Sequence, residues 1–124
     1  MKLMLLSTAL AATVPTSVPD KILTQAEIRT IIATTAKQYG ISQFLALELG
    51  RIESEFNPSA CNPVSSACGL FQFIDSTWET YCTGDRFDPY DNTKCAMERL
   101  SAGELWHWTA DKNTKRKLEM AGAI

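Results

Sequence analysis

The 124-residue sequence contains no alternation of apolar and polar residues long enough to make a strand, so a sheet-based fold is not expected. It has a single histidine, His107, and no Cys-x-x-C pair, which argues against a zinc site. No glycine-rich phosphate loop occurs, so neither a nucleotide nor a flavin is implied, and no cofactor is expected. The net charge is only -2, too small for bulk attraction to nucleic acid or to an anionic membrane. Internal repeats and low-complexity segments are missing. The apolar stretch from Leu3 to Leu10 is too short to span a bilayer as a permanent helix.

What is present describes one ordinary domain. Hydrophobic residues make up 45% of the chain and charged residues 21%, a balance that supports a buried core. The first residues read as a secretory signal: Lys2, then the short apolar stretch, then a small-x-small site at Ala9-Leu10-Ala11. We therefore divide the chain into a signal peptide and unstructured lead over 1–19, with cleavage after Ala11, and a domain over 20–124. The Thr-Val-Pro-Thr-Ser-Val-Pro stretch falls in that lead. Lys112, Lys115, Arg116 and Lys117 cluster near the end and read as a solvated helix face.

Cys61, Cys68, Cys82 and Cys95 form an even set in a short chain read as exported, the pattern of a disulfide framework. Of the three pairings open to four cysteines, Cys61–Cys68 and Cys82–Cys95 are favoured because each closes a local loop. Each closure stabilises a small domain by about 2–4 kcal/mol. Export to the periplasm or beyond follows from the same reading.

The positive signals are helical. Thr24-Gln25-Ala26-Glu27 is a capping box, and Ile28, Ile31 and Ile32 continue it at helical spacing up to Gly40. Ser42 caps a second helix predicted from about Gln43 to Phe56, ended from outside by Pro58. Asn57 to Cys68 reads as a loop. Ser76-Thr77-Trp78-Glu79 has the form of another capping box, opening a short helix towards Tyr81. Asp88 with Pro89 starts a helix through Cys95, Met97 and Leu100. Asp111 caps a last helix reaching Met120.

On the second helix, at about 3.6 residues per turn, Leu45, Leu49, Ile52 and Phe56 share a face. Glu53 and Glu48 both fall on its borders, so periodicity does not choose between them. Position does: Glu53 lies in the last turn, where free carbonyls and the helix dipole disfavour a carboxylate and raise its pKa.

The most specific strings are Ile52-Glu53-Ser54-Glu55-Phe56-Asn57-Pro58, then Ala67-Cys68-Gly69-Leu70-Phe71-Gln72-Phe73-Ile74, then Ser76-Thr77-Trp78, then Asp88-Pro89-Tyr90-Asp91-Asn92. In this order the chain resembles the soluble lytic transglycosylase (SLT) family over about residues 24 to 105. The resemblance implies a mainly α, lysozyme-like fold and the glycan strands of peptidoglycan as substrate. It implies Glu53 as the general acid and Gln72 as a sugar contact beside it. As the family mechanism is understood, one glutamate protonates the leaving oxygen with help from the substrate N-acetyl group. It then deprotonates the muramyl C6 hydroxyl, which closes a 1,6-anhydro ring. The enzyme would serve a cell-envelope machine or a phage.

Further substrate positions are Ser66, Gly69, Ile74 and Tyr81. Gly69 is expected to allow close backbone approach at the cleft floor. Ser66 either bonds substrate or holds the loop. Trp78 is read as core and His107 as structural, while Trp106 and Trp108 are open to sugar stacking. The family's Ala-Tyr-Asn-Ala-Gly segment, whose tyrosine assists the acid, is missing, leaving Tyr81 or Tyr90 for that role. Two other readings stay open. One is a hydrolytic muramidase using Glu55, Asp75 or Asp85 as a second carboxylate. The other is a non-catalytic glycan-binding module.

Overall fold

A computed structural model describes residues 22–124; the expected signal peptide and lead lie outside the described residues. Among the described residues six helices follow one another: α1 (Gln25–Gln38), α2 (Gln43–Ser54), α3 (Asp75–Tyr81), α4 (Pro89–Ser101), α5 (Trp106–Thr109) and α6 (Lys112–Met120). Among the described residues there is no strand, only isolated bridges pairing Cys61 with Cys68 and Cys68 with Phe73.

Local chemistry sets most helix starts. Thr24 Oγ1 accepts from Glu27 N at 3.1 Å and Thr24 N donates to Glu27 Oε1 at 2.9 Å, completing the box before α1. Ser42 Oγ accepts from Leu45 N at 3.1 Å at the head of α2. Asp88 Oδ2 accepts from Asp91 N at 2.9 Å and Pro89 opens α4. Asp111 Oδ1 accepts from Asn113 N at 2.8 Å at the head of α6.

Two boundaries differ from expectation. First, α2 ends at Ser54, short of Phe56, because Glu55 (φ 53°) and Phe56 (φ 63°) both turn left-handed. That turn places the Phe56 ring against Gly50, whose ideal Cβ would sit 3.6 Å from Phe56 Cε1, and lets the Arg29 guanidinium lie 5.6 Å from the ring centre. Second, α3 starts at Asp75, and no capping box forms at Ser76. The cap comes from the preceding loop, where Ser66 Oγ accepts from Asp75 N at 2.9 Å. The short α5 had no counterpart in the sequence pattern.

The core holds Ile28 and Ile32 of α1, Leu49 of α2, Met97 of α4, Leu118 of α6, and Leu70 and Phe71 from the loop between α2 and α3. Burying a loop obliges its backbone to find partners. Phe71 N donates to Asn92 Oδ1 at 2.9 Å, and Phe71 O accepts from Trp108 Nε1 at 2.8 Å. Both disulfides are local: Cys61–Cys68 closes the same loop, and Cys82–Cys95 ties the end of α3 to α4. Arg86 Nη1 reaches Phe73 O at 3.0 Å and Asp75 Oδ1 at 2.9 Å, which fixes α3 against that loop.

Candidate active site

The buried positions of α2 are Ala46, Leu49, Gly50 and Ser54. Glu53 lies one turn beyond Leu49 and Gly50, so it belongs to the inward face and not its edge. Glu48 lies elsewhere on the helix and pairs with Arg51, 2.7 Å away. Packing thus makes the choice that periodicity left open.

Glu53 is half-buried at the wall of a groove of about 810 Å³. The end of α2 and the turn after it line one side, through Arg51, Glu55 and Asn57. Gln72 and the Ala60–Asn62 stretch line another, and Lys117 and Met120 of α6 close it. A volume of several hundred Å³ suits a small-molecule or sugar-sized ligand. Thr114 Oγ1 donates to Glu53 Oε2 at 2.9 Å. Burial is the main influence on this carboxyl and raises its pKa, because the charged form loses water. Asp111 adds to the rise, while the Thr114 hydrogen bond and Lys117 oppose it. The net direction is upward, towards a carboxyl that keeps its proton.

Gln72 has a left-handed backbone (φ 55°) and lines the groove. Its Nε2 donates to Ala60 O and Gly69 O, both at 2.9 Å. The amide nitrogen is therefore committed to the loop, and the side-chain oxygen has no hydrogen-bond partner among the described residues.

A model of the transglycosylase SLT domain matches residues 30–106, more than half of the chain. The chain belongs to the transglycosylase SLT family. No curated protein sequence matches it. The matched segment carries Glu53, Gln72 and all four cysteines, and the helical, disulfide-tied structure agrees with the lysozyme-like architecture of SLT domains. Helix α6, which completes the groove, lies beyond the matched segment.

The other positions named from the sequence of this SLT domain scatter. Gly69 is buried with φ 90° and faces α4, away from the groove. A Cβ there would collide with the Asn92 amide and stand 2.6 Å from Arg86 O. The close approach that glycine permits is thus between loop and helix. Ser66 caps α3. Ile74 is exposed and lines a second hollow of about 180 Å³ with Thr77, Trp106 and His107, which Gln72 separates from the groove. Tyr81 is packed by the Arg99 guanidinium at 4.8 Å and by the edge of His107, and Tyr90 lines a different hollow. Neither tyrosine is a hydrogen-bond partner of Glu53. Trp78 packs edge-on to Phe73, and Trp108 is buried. His107 bonds Glu104 Oε1 at 3.0 Å, which, with Arg99, holds the Glu104 carboxyl below its usual range.

Two residues of consequence escaped the sequence reading. Thr114 carried one readable signal: it stands one turn before Leu118, on the buried face of α6. Asn92 stands at helical spacing before Cys95 and Ala96 on the buried face of α4, an unusual place for a polar side chain without a partner.

Proposed function

We propose that this SLT domain is a peptidoglycan lytic transglycosylase that cleaves the β-1,4 bond between N-acetylmuramic acid and N-acetylglucosamine. The observation that carries the reading is a half-buried glutamate, biased towards its protonated form, on the wall of a sugar-sized groove. Such a group is suited to general acid catalysis near neutral pH. Glu53 gives its proton to the glycosidic oxygen as the C1–O bond breaks, and the substrate N-acetyl group assists. The resulting carboxylate then takes the proton of the muramyl C6 hydroxyl, whose oxygen bonds to C1. The product carries a 1,6-anhydromuramyl end, and Glu53 regains its proton.

Two of the three candidate second carboxylates stand away from the Glu53 groove. Asp75 is paired with Arg86 at 2.9 Å, and Asp85 accepts from Phe87 N within its own turn at 2.9 Å. Neither lines the Glu53 groove; Glu55 does. Glu55→Gln therefore tests the hydrolytic alternative. On purified cell walls we expect the variant to keep the wild-type rate to within about threefold, whereas loss of a true catalytic carboxylate costs about 10²-fold or more. A loss of that size would move the assignment to a two-carboxylate muramidase.

We place this activity outside the cytoplasm, in the periplasm or beyond. Disulfides persist in oxidising compartments, and peptidoglycan lies there. Among the described residues no helix is long and apolar enough to cross a membrane.

A further inference from the structure

The hydroxyl that meets Glu53 comes from outside the segment matched by the SLT model. A threonine hydroxyl inside a helix can bond the carbonyl four residues back, as Thr30 and Thr35 do with Ala26 O and Ile31 O. Thr114 is the third residue of α6, and the residue four back, Ala110, lies before the Asp111 cap. The Thr114 hydroxyl reaches across to α2 and donates to Glu53 Oε2 at 2.9 Å.

The contact is built firmly. Asp111 caps α6 and its Oδ1 also accepts from Thr114 N at 3.3 Å. Leu118, one turn on, is fully buried and anchors the same face. Thr114 is itself buried, so water is a poor substitute partner for its hydroxyl. An oxygen that accepts from a fixed donor is the unfavoured place for the carboxylic proton, which then resides on the other oxygen.

We infer that Thr114 is a positioning residue: by holding Oε2 it keeps the acidic proton of Glu53 on Oε1 and fixes the carboxyl at the groove wall. The inference rests on the reading of Glu53 as the acid. The hydroxyl is supplied by α6, beyond the segment matched by the SLT model. It also sets the pH range of the acid, since a donor to the carboxylate favours the charged form. The other charged groups around Glu53 are Asp111 and Lys117 on α6, and Arg51 and Glu55 at the end of α2. The Gln72 loop presents amide and backbone groups there, not charge.

The test is a carbon-detected NMR titration of the Glu53 carboxyl in the folded domain, assigned by its loss in Glu53→Gln. Thr114→Val keeps the shape and removes the hydroxyl; Thr114→Ser keeps the hydroxyl. The midpoint should move upward in Thr114→Val and return to the wild-type position in Thr114→Ser. On cell walls, Thr114→Val should lower the maximal rate about tenfold and move the alkaline limb of the pH profile upward, with Ser restoring both. Thr114→Ala serves the same comparison if the valine variant fails to fold. Identical midpoints in wild type and the hydroxyl-free variant would overturn the inference. A wild-type protein that releases no muropeptides would instead remove the enzymatic reading while leaving the titration result to stand, so the two failures are distinguishable.

Discussion

Glu53→Gln is expected to slow the clearing of purified cell walls by about 10²–10⁴-fold, the usual contribution of a positioned general acid. Glutamine fills the same volume and can still accept from Thr114 Oγ1, so the groove should survive. What it cannot do is release a proton to the leaving oxygen. Turbidity measurements at matched protein concentration check this, and glycan binding should remain.

The same substitution should raise thermal stability at pH 7. Burial lifts the Glu53 pKa in the folded state above its unfolded value, so the folded state binds more protons between the two. A raised carboxyl contributes its full stability below the unfolded pKa and loses it as pH climbs through the folded one. The neutral amide carries no such penalty. Calorimetry should therefore give Glu53→Gln the higher Tm at pH 7, with the gap closing below about pH 4. A site that gains stability when its catalytic group is neutralised is typical of function held against stability.

Asn92→Ala is expected to destabilise the domain by about 3 kcal/mol or more. The side chain is fully buried, accepts from Phe71 N at 2.9 Å and donates to Arg86 O at 2.8 Å. Truncation leaves two backbone groups without partners, at about 1–3 kcal/mol each, and opens a small cavity beside them. For a domain of this size that lowers Tm by about 12 °C or more. Activity should fall below the melting range as well, because Asn92 and Trp108 grip the two backbone groups of Phe71 and Gln72 follows directly. The left-handed backbone at Gln72 is uncommon for a residue with a side chain and depends on this grip. Thermal melts and chemical denaturation measure the loss; a change under 1 kcal/mol would show that the clamp is not needed.

Features governed by neighbouring residues were readable without coordinates. The Thr24–Glu27 box, the Asp88 and Asp111 caps and the two short-range disulfides all depend on residues a few places apart. Features governed by distant contacts were not. The end of α2 depends on where the Phe56 ring packs, and the start of α3 on Ser66, nine residues earlier. The Glu53 neighbourhood shows both sides. Its motif and its place in the last turn could be read directly, but the inward face of α2 could not, because Ala46 and Gly50 carry little hydrophobic weight on a helical wheel. Thr114 is 61 residues away in sequence, beyond any local pattern. At Gly69 the requirement for glycine was legible, but the neighbours that impose it, the Asn92 amide and Arg86 O, were not.

Digestion of purified cell walls in ¹⁸O-labelled water, followed by mass spectrometry of the released muropeptides, tests the central claim most directly. A single protonated glutamate that recruits the muramyl C6 hydroxyl predicts anhydro ends with no ¹⁸O incorporated, and no such products from Glu53→Gln. Reducing ends carrying one ¹⁸O, or the same products released by both proteins, would contradict it.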